Sequence, residues 1–419
     1  MKNKITLMLN IVFVIFAATF IIDSGLHRLT IYIATLLWTL EGNFKEKFKQ
    51  IYSQKVVLLY LSMLFMFILS LFFSDSLSNG FFDNKYSTGY EFIFKKPFFY
   101  FLMAIYISTS LKKEFIKYVI YGFLFQVFIM VIASFGIKFG IIEGNANNPV
   151  SFISTGNHIH FSLILNIGLI FAIYLFHISS SKIEKIVFLF LAILMLIDIF
   201  LVRSRTGYLI SLLILFIWIF IFAKKFYRNK IFLFGIIFIV TIFVLNISFN
   251  TNFKNRVNQA FSNIVYALNN KDYTSSLGIR IGLNIASFNL LTDSPKNFIL
   301  GLGMGDSQKK FKEYINKNFI SKNRNILVKY QHVHNQFFQT WIDGGILALL
   351  LYILIFFALY KLNLTYYQKF IFLSFLVVFL VFSISGIIFL RVIIISIFSL
   401  CVGLLLAMDK ENCKIKKEY

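Results

Sequence analysis

Charged residues are scarce in this 419-residue chain, and acidic residues are scarcer than basic ones. Asp, Glu, Lys and Arg make up 14% of the residues, whereas 58% are hydrophobic and the mean hydropathy is +0.78. A soluble domain carries about 25% charged residues. The composition therefore excludes an ordinary soluble protein and predicts an integral membrane protein with many spans.

Cysteine is almost absent as well. Cys401 lies inside an apolar run, and Cys413 lies in the C-terminal tail. Two cysteines so placed provide neither a disulfide framework nor a zinc site. We therefore expect no metal ligated by cysteine and no structural disulfide.

Long apolar runs divide the chain. They predict an all-α polytopic membrane protein with about twelve transmembrane helices. We place an N-terminal membrane domain at residues 1–249 with about nine helices, a large outer loop at 250–339, further helices at 340–407 and a tail at 408–419. The predicted spans lie near residues 5–22, 29–40, 56–73, 97–111, 118–136, 161–178, 186–202, 206–223, 231–249, 340–360, 370–385 and 391–407.

The basic residues set the predicted orientation. Of 41 Lys and Arg, 21 lie in the connections and termini on one side and 8 on the other, leaving out the long loop. Loops rich in Lys and Arg stay in the cytoplasm, whereas long segments cross regardless of charge. Both termini are therefore predicted to be cytoplasmic. The net charge of +23 also suits contact with anionic membrane lipids. The basic residues are scattered between apolar spans, which argues against binding to nucleic acid.

Two amphipathic helices are predicted within the outer loop. Apolar residues recur at helical spacing from Phe253 to Leu268, and the run 309–320 sets Phe311, Ile315 and Phe319 against lysines. Such helices lie on a membrane surface or cap a cavity. A solvated helix packed on the rest of the loop is the alternative interpretation.

Arginine and histidine collect on the predicted outer face. Guanidinium groups bind diphosphates through paired, charge-assisted hydrogen bonds, and a histidine can accept a proton from an attacking hydroxyl. No D-x-D pair of carboxylates accompanies them, which disfavours metal-dependent transfer. The candidates are Arg203, Arg205, Arg280, His332, His334 and Arg391, with His158 and His160 more distant.

Other polar features have simpler interpretations. The glycine-rich segment 301–306 follows no strand, so it predicts a flexible turn and not a nucleotide site. His334 and Asn335 precede an apolar helix, and they could instead only cap it. His27 is interpreted as an outer-loop residue without a role.

Four segments in the C-terminal half resemble the family of bacterial O-antigen ligases and polymerases. R-S-R-T-G-Y at 203–208 resembles a turn at a helix start in that family. S-L-G-I-R at 276–280 and S-P-K-N-F-I-L-G-L-G at 294–303 resemble segments of its periplasmic loop. H-V-H-N at 332–335 and F-L-R at 389–391 resemble motifs of the ligase branch, although Gln336 stands where some ligases have Glu.

The resemblance implies a fold of the GT-C glycosyltransferase type and a function. The enzyme would transfer a glycan from undecaprenyl pyrophosphate to a hydroxyl of lipid A–core oligosaccharide, inverting the anomeric centre without a metal or other cofactor. It would lie in the bacterial inner membrane with its site facing the periplasm. Arg205, Arg280 and Arg391 would bind the donor diphosphate, and His334 would be the catalytic base. Arg203, His332 and Asn335 would be accessory residues.

Two other functions stay open at the level of sequence. An O-antigen polymerase would use the same donor with a polyprenyl-linked glycan as acceptor, although H-V-H-N and Arg391 favour the ligase. A flippase for lipid-linked sugars would carry charges deep within several spans. In this chain the charges collect at the outer boundary, which argues against a flippase.

Overall fold

The protein is built from α-helices. The computed structural model describes residues 2–19, 24–72, 97–144, 157–202, 204–226, 251–304, 306–330 and 332–418, and none of these lies in a β-strand. The helices are α1 (Lys2–Thr19), α2 (Ser24–Glu41), α3 (Phe44–Ser53), α4 (Lys55–Phe72), α5 (Phe99–Ser110), α6 (Lys113–Lys138), α7 (His158–Ile178), α8 (Lys182–Val202), α9 (Arg205–Phe226), α10 (Thr251–Asn269), α11 (Ser276–Thr292), α12 (Pro295–Leu300), α13 (Ser307–Asn318), α14 (Ser321–Leu327), α15 (Gln336–Tyr360), α16 (Tyr366–Ser385) and α17 (Val392–Glu418).

Eight of the described helices are long and apolar enough to cross a membrane, namely α4, α6, α7, α8, α9, α15, α16 and α17. This confirms a polytopic membrane protein, but it does not confirm twelve spans. The apolar parts of α1 and α5 are shorter, at Asn3–Thr19 and Phe99–Ser110. The predicted span 29–40 lies within α2, and the predicted span 231–249 lies outside the described residues.

One large apolar core joins the membrane helices. Helix α4 packs along α15, α5 along α17, α7 along α8, and α1 along α6. The Tyr60 ring stacks on Phe101 with centroids 3.5 Å apart, and its hydroxyl donates to the carbonyl of Pro97 at 2.9 Å. Aromatic pairs of this kind stabilise a bilayer protein by close packing, because lipid is as apolar as the core.

The sequence suggested that His27 lies in an outer loop. This was wrong, because His27 belongs to this core. It lies in α2 with no exposed surface, and its Nε2 is 3.0 Å from the hydroxyl of Ser396 on α17. Phe16 and Tyr100 contact the two sides of the imidazole ring. The side chain therefore joins three helices to α17.

A second, smaller core lies under α10 to α14. Leu283, Phe311, Ile315 and Leu327 are buried there, together with Trp341 in the first turns of α15. This confirms a helix in the run 309–320, at Ser307–Asn318, whose Phe311 and Ile315 face inward. The small core seats the loop on the amino-terminal end of α15.

Helix α10 confirms the first amphipathic prediction, but most of the apolar side chains described in its second half are exposed. Phe261, Val265 and Leu268 are exposed and share one face, whereas Ala267 is buried. The helix also packs on α11, and Ala267 belongs to the small core of the loop. The exposed face favours the membrane-surface interpretation.

Candidate functional site

The two histidines of the H-V-H-N segment lie side by side just before α15. Their ring centroids are 4.3 Å apart in an edge-to-face arrangement, and Tyr330 contacts His334 from the other side at 5.2 Å. His334 has a φ of +56°, in the left-handed region that residues other than glycine seldom adopt. Strained backbone of this kind collects at functional sites.

Asn335 fixes the start of α15. Its side-chain oxygen accepts from the backbone nitrogens of Phe337 and Phe338 at 3.0 and 3.3 Å, which is an N-cap. Asn335 therefore caps the helix, and its accessory role in the site stays a prediction. The helix begins directly after this cap. The chain before it turns at His334, which has a left-handed backbone conformation.

Arg391 meets the histidine pair from the start of α17. One of its terminal nitrogens, Nη2, lies 3.0 Å from Nε2 of His332. A guanidinium only donates, so Nε2 of His332 must accept and the proton of the neutral ring resides on Nδ1. That Nδ1 is buried without a hydrogen-bond partner among the described residues. The contact thus selects one neutral tautomer of His332.

Gln336 joins the histidine segment to the chain before Arg391. It is 1% exposed, and its Oε1 accepts from the backbone nitrogens of Ile388 and Phe389 at 2.7 and 3.2 Å. Its Nε2 donates to the hydroxyl of Thr340 at 2.9 Å. Every polar group of this buried amide is therefore engaged, and it holds the two segments in one register.

A second buried network lies behind the histidines. The backbone nitrogen of Val333 donates to Oε1 of Gln339 at 3.2 Å, and Nε2 of Gln339 donates to Asp343 at 2.9 Å. Both side chains are buried in the first two turns of α15. The residue between the two histidines is thus tied directly to the helix.

Arg280 is presented by α11. Ser275 caps this helix by accepting from the backbone nitrogen of Gly278 at 3.0 Å. Gly278 and Gly282 lie against Tyr273, where an added Cβ at Gly282 would come within 2.7 Å of the ring. The S-L-G-I-R motif at 276–280 therefore forms the first turn of a helix that Ser275 caps and that packs tightly on Tyr273, and Arg280 is half-buried there.

Arg205 begins α9 and is exposed. The preceding Ser204 accepts from the backbone nitrogen of Gly207 at 3.2 Å and from the hydroxyl of Ser162 on α7 at 2.9 Å. Gly207 lies so close to α7 that an added Cβ would be 2.6 Å from Cβ of Ser162. Serine and glycine therefore fix the turn on α7 at which Arg205 stands.

The charges of these groups act on one another. Burial first, and then the neighbouring His332, Arg280 and Arg391, lower the pKa of His334 to about 3. Burial and Arg391 lower the pKa of His332 to about 4. Both imidazoles are therefore neutral at pH 7.

Arg280 and Arg205 are also coupled. Burial and the charge of Arg205 lower the pKa of Arg280 from its ordinary value. Like charges are costly to hold together unless an anion joins them. The site is therefore electropositive and suited to a multiply charged anion.

The structure brings most of the predicted residues together. Arg280, His332, His334 and Arg391 interact, and Arg205 joins them through Arg280. His160, predicted to be more distant, is buried and close enough to interact electrostatically with Arg391 and His332. His158 is exposed, and Arg203 lies outside the described residues.

Sequence reasoning missed two of the residues at this site. Tyr330 contacts His334, and Gln336 ties two distant segments together. The only sequence signal for Gln336 was its place directly after H-V-H-N. Its partners lie 52 and 53 residues away, which no local pattern reveals.

The described residues include no group of three or more His, Cys, Asp or Glu side chains positioned to hold a metal ion. The cationic groups converge where such a centre would need carboxylates. The arrangement can bind an anion and, beside it, hold two neutral imidazoles.

The comparison with protein families agrees with this geometry. Residues 190–353 match the family described as O-antigen ligase. That range includes Arg205, Arg280, His332 and His334, whereas Arg391 lies beyond it. No curated protein matches the chain. This match supports the O-antigen ligase and polymerase family, which the resemblance of the motifs predicted.

Proposed function

We propose that this protein is an O-antigen ligase of the GT-C type, in the bacterial inner membrane with the site facing the periplasm. It would transfer a glycan from undecaprenyl pyrophosphate to a hydroxyl of lipid A–core oligosaccharide. The family match and the apolar helices support a bacterial membrane protein that acts on lipid-linked glycans. Both termini would then be cytoplasmic, with 250–339 as the periplasmic loop.

One observation carries the proposal, namely that Arg280 lies between Arg205 and His334 of the neutral histidine pair in its electrostatic contacts. Guanidinium forks match the oxygens of a diphosphate and keep their charge at any pH. Binding a diphosphate would relieve the repulsion between these two arginines. The donor is therefore placed with its leaving group at Arg205 and Arg280, and with Arg391 as a further cation.

The reaction is a single displacement. The acceptor hydroxyl oxygen attacks the anomeric carbon from the face opposite the diphosphate, a new glycosidic bond forms, and the bond to the diphosphate oxygen breaks. The proton of the hydroxyl passes to His334, and undecaprenyl pyrophosphate leaves with the bonding electrons. One displacement inverts the anomeric centre. The arginines stabilise the negative charge that grows on the leaving group, so no metal is required for that purpose.

The low pKa of His334 implies that the donor binds before His334 accepts the proton. In the empty site the imidazole is neutral but a weak base, because burial and the surrounding positive groups oppose protonation. A bound diphosphate offsets the charge of Arg280 and raises the basicity of His334. The histidine therefore becomes an effective base only when the donor is present.

Transfer in vitro tests the proposal. Purified protein is mixed with undecaprenyl-pyrophosphate-linked glycan and lipid A–core, with no added metal. We expect glycan on lipid A–core, and an inactive His334→Asn variant. Asparagine tolerates the left-handed backbone at this position better than alanine, so the substitution removes the base and keeps the turn.

Each result has one meaning. Longer polyprenyl-linked chains as the only product would identify a polymerase and overturn the proposed acceptor. Absence of product with both acceptors, from protein that is folded and binds the donor, would overturn glycosyl transfer. Full activity of the folded His334→Asn variant would remove the proposed base.

A further inference from the structure

A cavity of about 440 Å³ lies at the end of the helix bundle opposite the candidate site. Helix α15 begins at Gln336 beside the site and reaches the cavity at Ala358, and Lys361 follows its last residue. The helix is about 35 Å long. Helix α17 likewise starts after Arg391 and reaches the cavity at Leu406. The two regions are therefore separate, and the proposed transfer leaves this cavity unused.

Lysines surround the cavity. Lys55, Lys361 and Lys410 line it, and Asp409 is the one carboxylate among its lining residues. Asp409 already accepts from the backbone nitrogen of Asn363 at 2.6 Å. Lys55 and Lys361 are exposed and form no salt bridge with a carboxylate in the described part of the chain. The cavity therefore carries excess positive charge.

The backbone adds to that charge. Lys55 and Val56 are the first residues of α4, an 18-residue helix. The first peptide N–H groups of a helix lack intrahelical acceptors and carry a partial positive charge. Lys410 is held in place by donating to the carbonyl of Thr109 at 2.7 Å. An anion in the cavity would thus meet both ammonium groups and backbone donors.

Part of the lining is apolar. Val56, Leu362 and Leu406 face the same space as the lysines. Free phosphate would leave these side chains uncovered, whereas an amphiphile would cover them with its glycerol and first methylene groups. The cavity lies among the ends of membrane helices, where lipid headgroups are located. Its mixed lining suits a phosphate attached to an apolar chain.

We propose that this cavity binds the phosphodiester headgroup of an anionic membrane phospholipid. The phosphate lies between Lys55 and Lys361 at the start of α4, and the acyl end contacts Leu362 and Leu406. Such a lipid would hold together the ends of α4, α15 and α17. Two of these helices begin beside the candidate site at their other ends, so the bound lipid stabilises the frame on which that site is built.

Thermal unfolding in detergent tests the proposal with short-chain lipids. Dihexanoylphosphatidylglycerol is titrated against the purified full chain, with dihexanoylphosphatidylcholine and inorganic phosphate as comparisons. We expect saturable stabilisation by the phosphatidylglycerol alone. In Lys55→Gln/Lys361→Gln the half-saturating concentration should rise at least about tenfold, as expected for a lost charged hydrogen bond.

Lys182→Gln/Lys369→Gln is the matched control. Both lysines are exposed at the same end of the bundle and outside the cavity, so the net charge changes equally. An equal loss of affinity in the two double variants would mean a general basic surface and overturn the site. Equal stabilisation by phosphatidylcholine, or by inorganic phosphate, would overturn the anionic phospholipid as the ligand.

Discussion

Oxygen Oε1 of Gln336 accepts a hydrogen bond from the backbone nitrogen of Ile388 at 2.7 Å. This contact joins the start of α15, which follows His334, to the segment that leads into Arg391. Nη2 of Arg391 and Nε2 of His332, which lie on the two joined segments, are 3.0 Å apart. The candidate site is therefore assembled by a residue that does not belong to the proposed chemistry.

We predict that Gln336→Leu lowers turnover by up to about 100-fold, because two buried N–H groups lose their acceptor and Arg391 shifts. Gln336→Glu should retain most activity, since a carboxylate accepts both N–H groups. Rates and thermal unfolding temperatures of the two variants test this. Equal rates for Leu and Glu, with both variants folded, would show that the contact does not position the site.

Gly301 and Gly345 make a second long-range contact. Gly345 interrupts α15 with a φ of +76°, and the backbone nitrogen of Leu302 donates to the carbonyl of Ile342 at 2.7 Å. A Cβ on Gly301 would lie 2.5 Å from that carbonyl oxygen, and one on Gly345 would collide with the carbonyl of Ile299. The glycine-rich turn is thus seated on a kinked helix.

Substituting these glycines should destabilise the protein by more than backbone strain alone. Gly140 is the control, because it has a φ of +74° and open space around its Cα. Gly140→Ala should cost about 1–2 kcal/mol for a left-handed backbone. Gly301→Ala and Gly345→Ala should lower the thermal unfolding temperature further. Equal effects at all three positions would mean that the close packing contributes nothing.

Many of the candidate site residues could be predicted from the sequence. The residues that hold the site together from distant parts of the chain could not. Arg280 and His334 were predicted together, because guanidinium and imidazole on one face suggest diphosphate chemistry. Gln336 and Gly301 act through partners tens of residues away, and hydropathy contains no information on such pairs. Helix α5 was predicted as a span from its composition, but its 12 residues extend only about 18 Å.

The shape of the guanidinium at position 280 should matter as well as its charge. We predict that Arg280→Lys lowers turnover at least about tenfold, because an ammonium cannot make two parallel bonds to a diphosphate. Arg324→Lys, in the same loop, is the matched control and should leave turnover unchanged. Steady-state transfer rates decide the matter. Wild-type rates in Arg280→Lys would mean that a positive charge alone is enough.

His334→Asn should reduce transfer by about 10²–10⁴-fold, the usual contribution of a general base. His158→Gln is the control, because His158 is exposed and has no step in the proposed transfer. Donor binding should persist in His334→Asn, since the arginines remain. Binding of the undecaprenyl-pyrophosphate glycan, measured beside turnover, checks this. Loss of donor affinity equal to the loss of turnover would assign His334 to binding instead of proton transfer.

The histidines should also make stability depend on pH. The pKa values of His332 and His334, about 4 and about 3, lie below the ordinary value of 6.5. The unfolded chain therefore binds protons at these residues before the folded chain does. Their contribution to stability is present above pH 6.5 and is lost progressively as the pH falls toward 4 and below.

Removing the two imidazoles should flatten that dependence. We predict that the thermal unfolding temperature of His332→Gln/His334→Asn falls less steeply than that of the wild type between pH 6.5 and pH 4. Other titrating groups are common to both proteins, so the difference between the two curves isolates this pair. Parallel curves would mean that the imidazoles protonate as easily in the folded site as in water. The proposed coupling between donor binding and the basicity of His334 would then lose its basis.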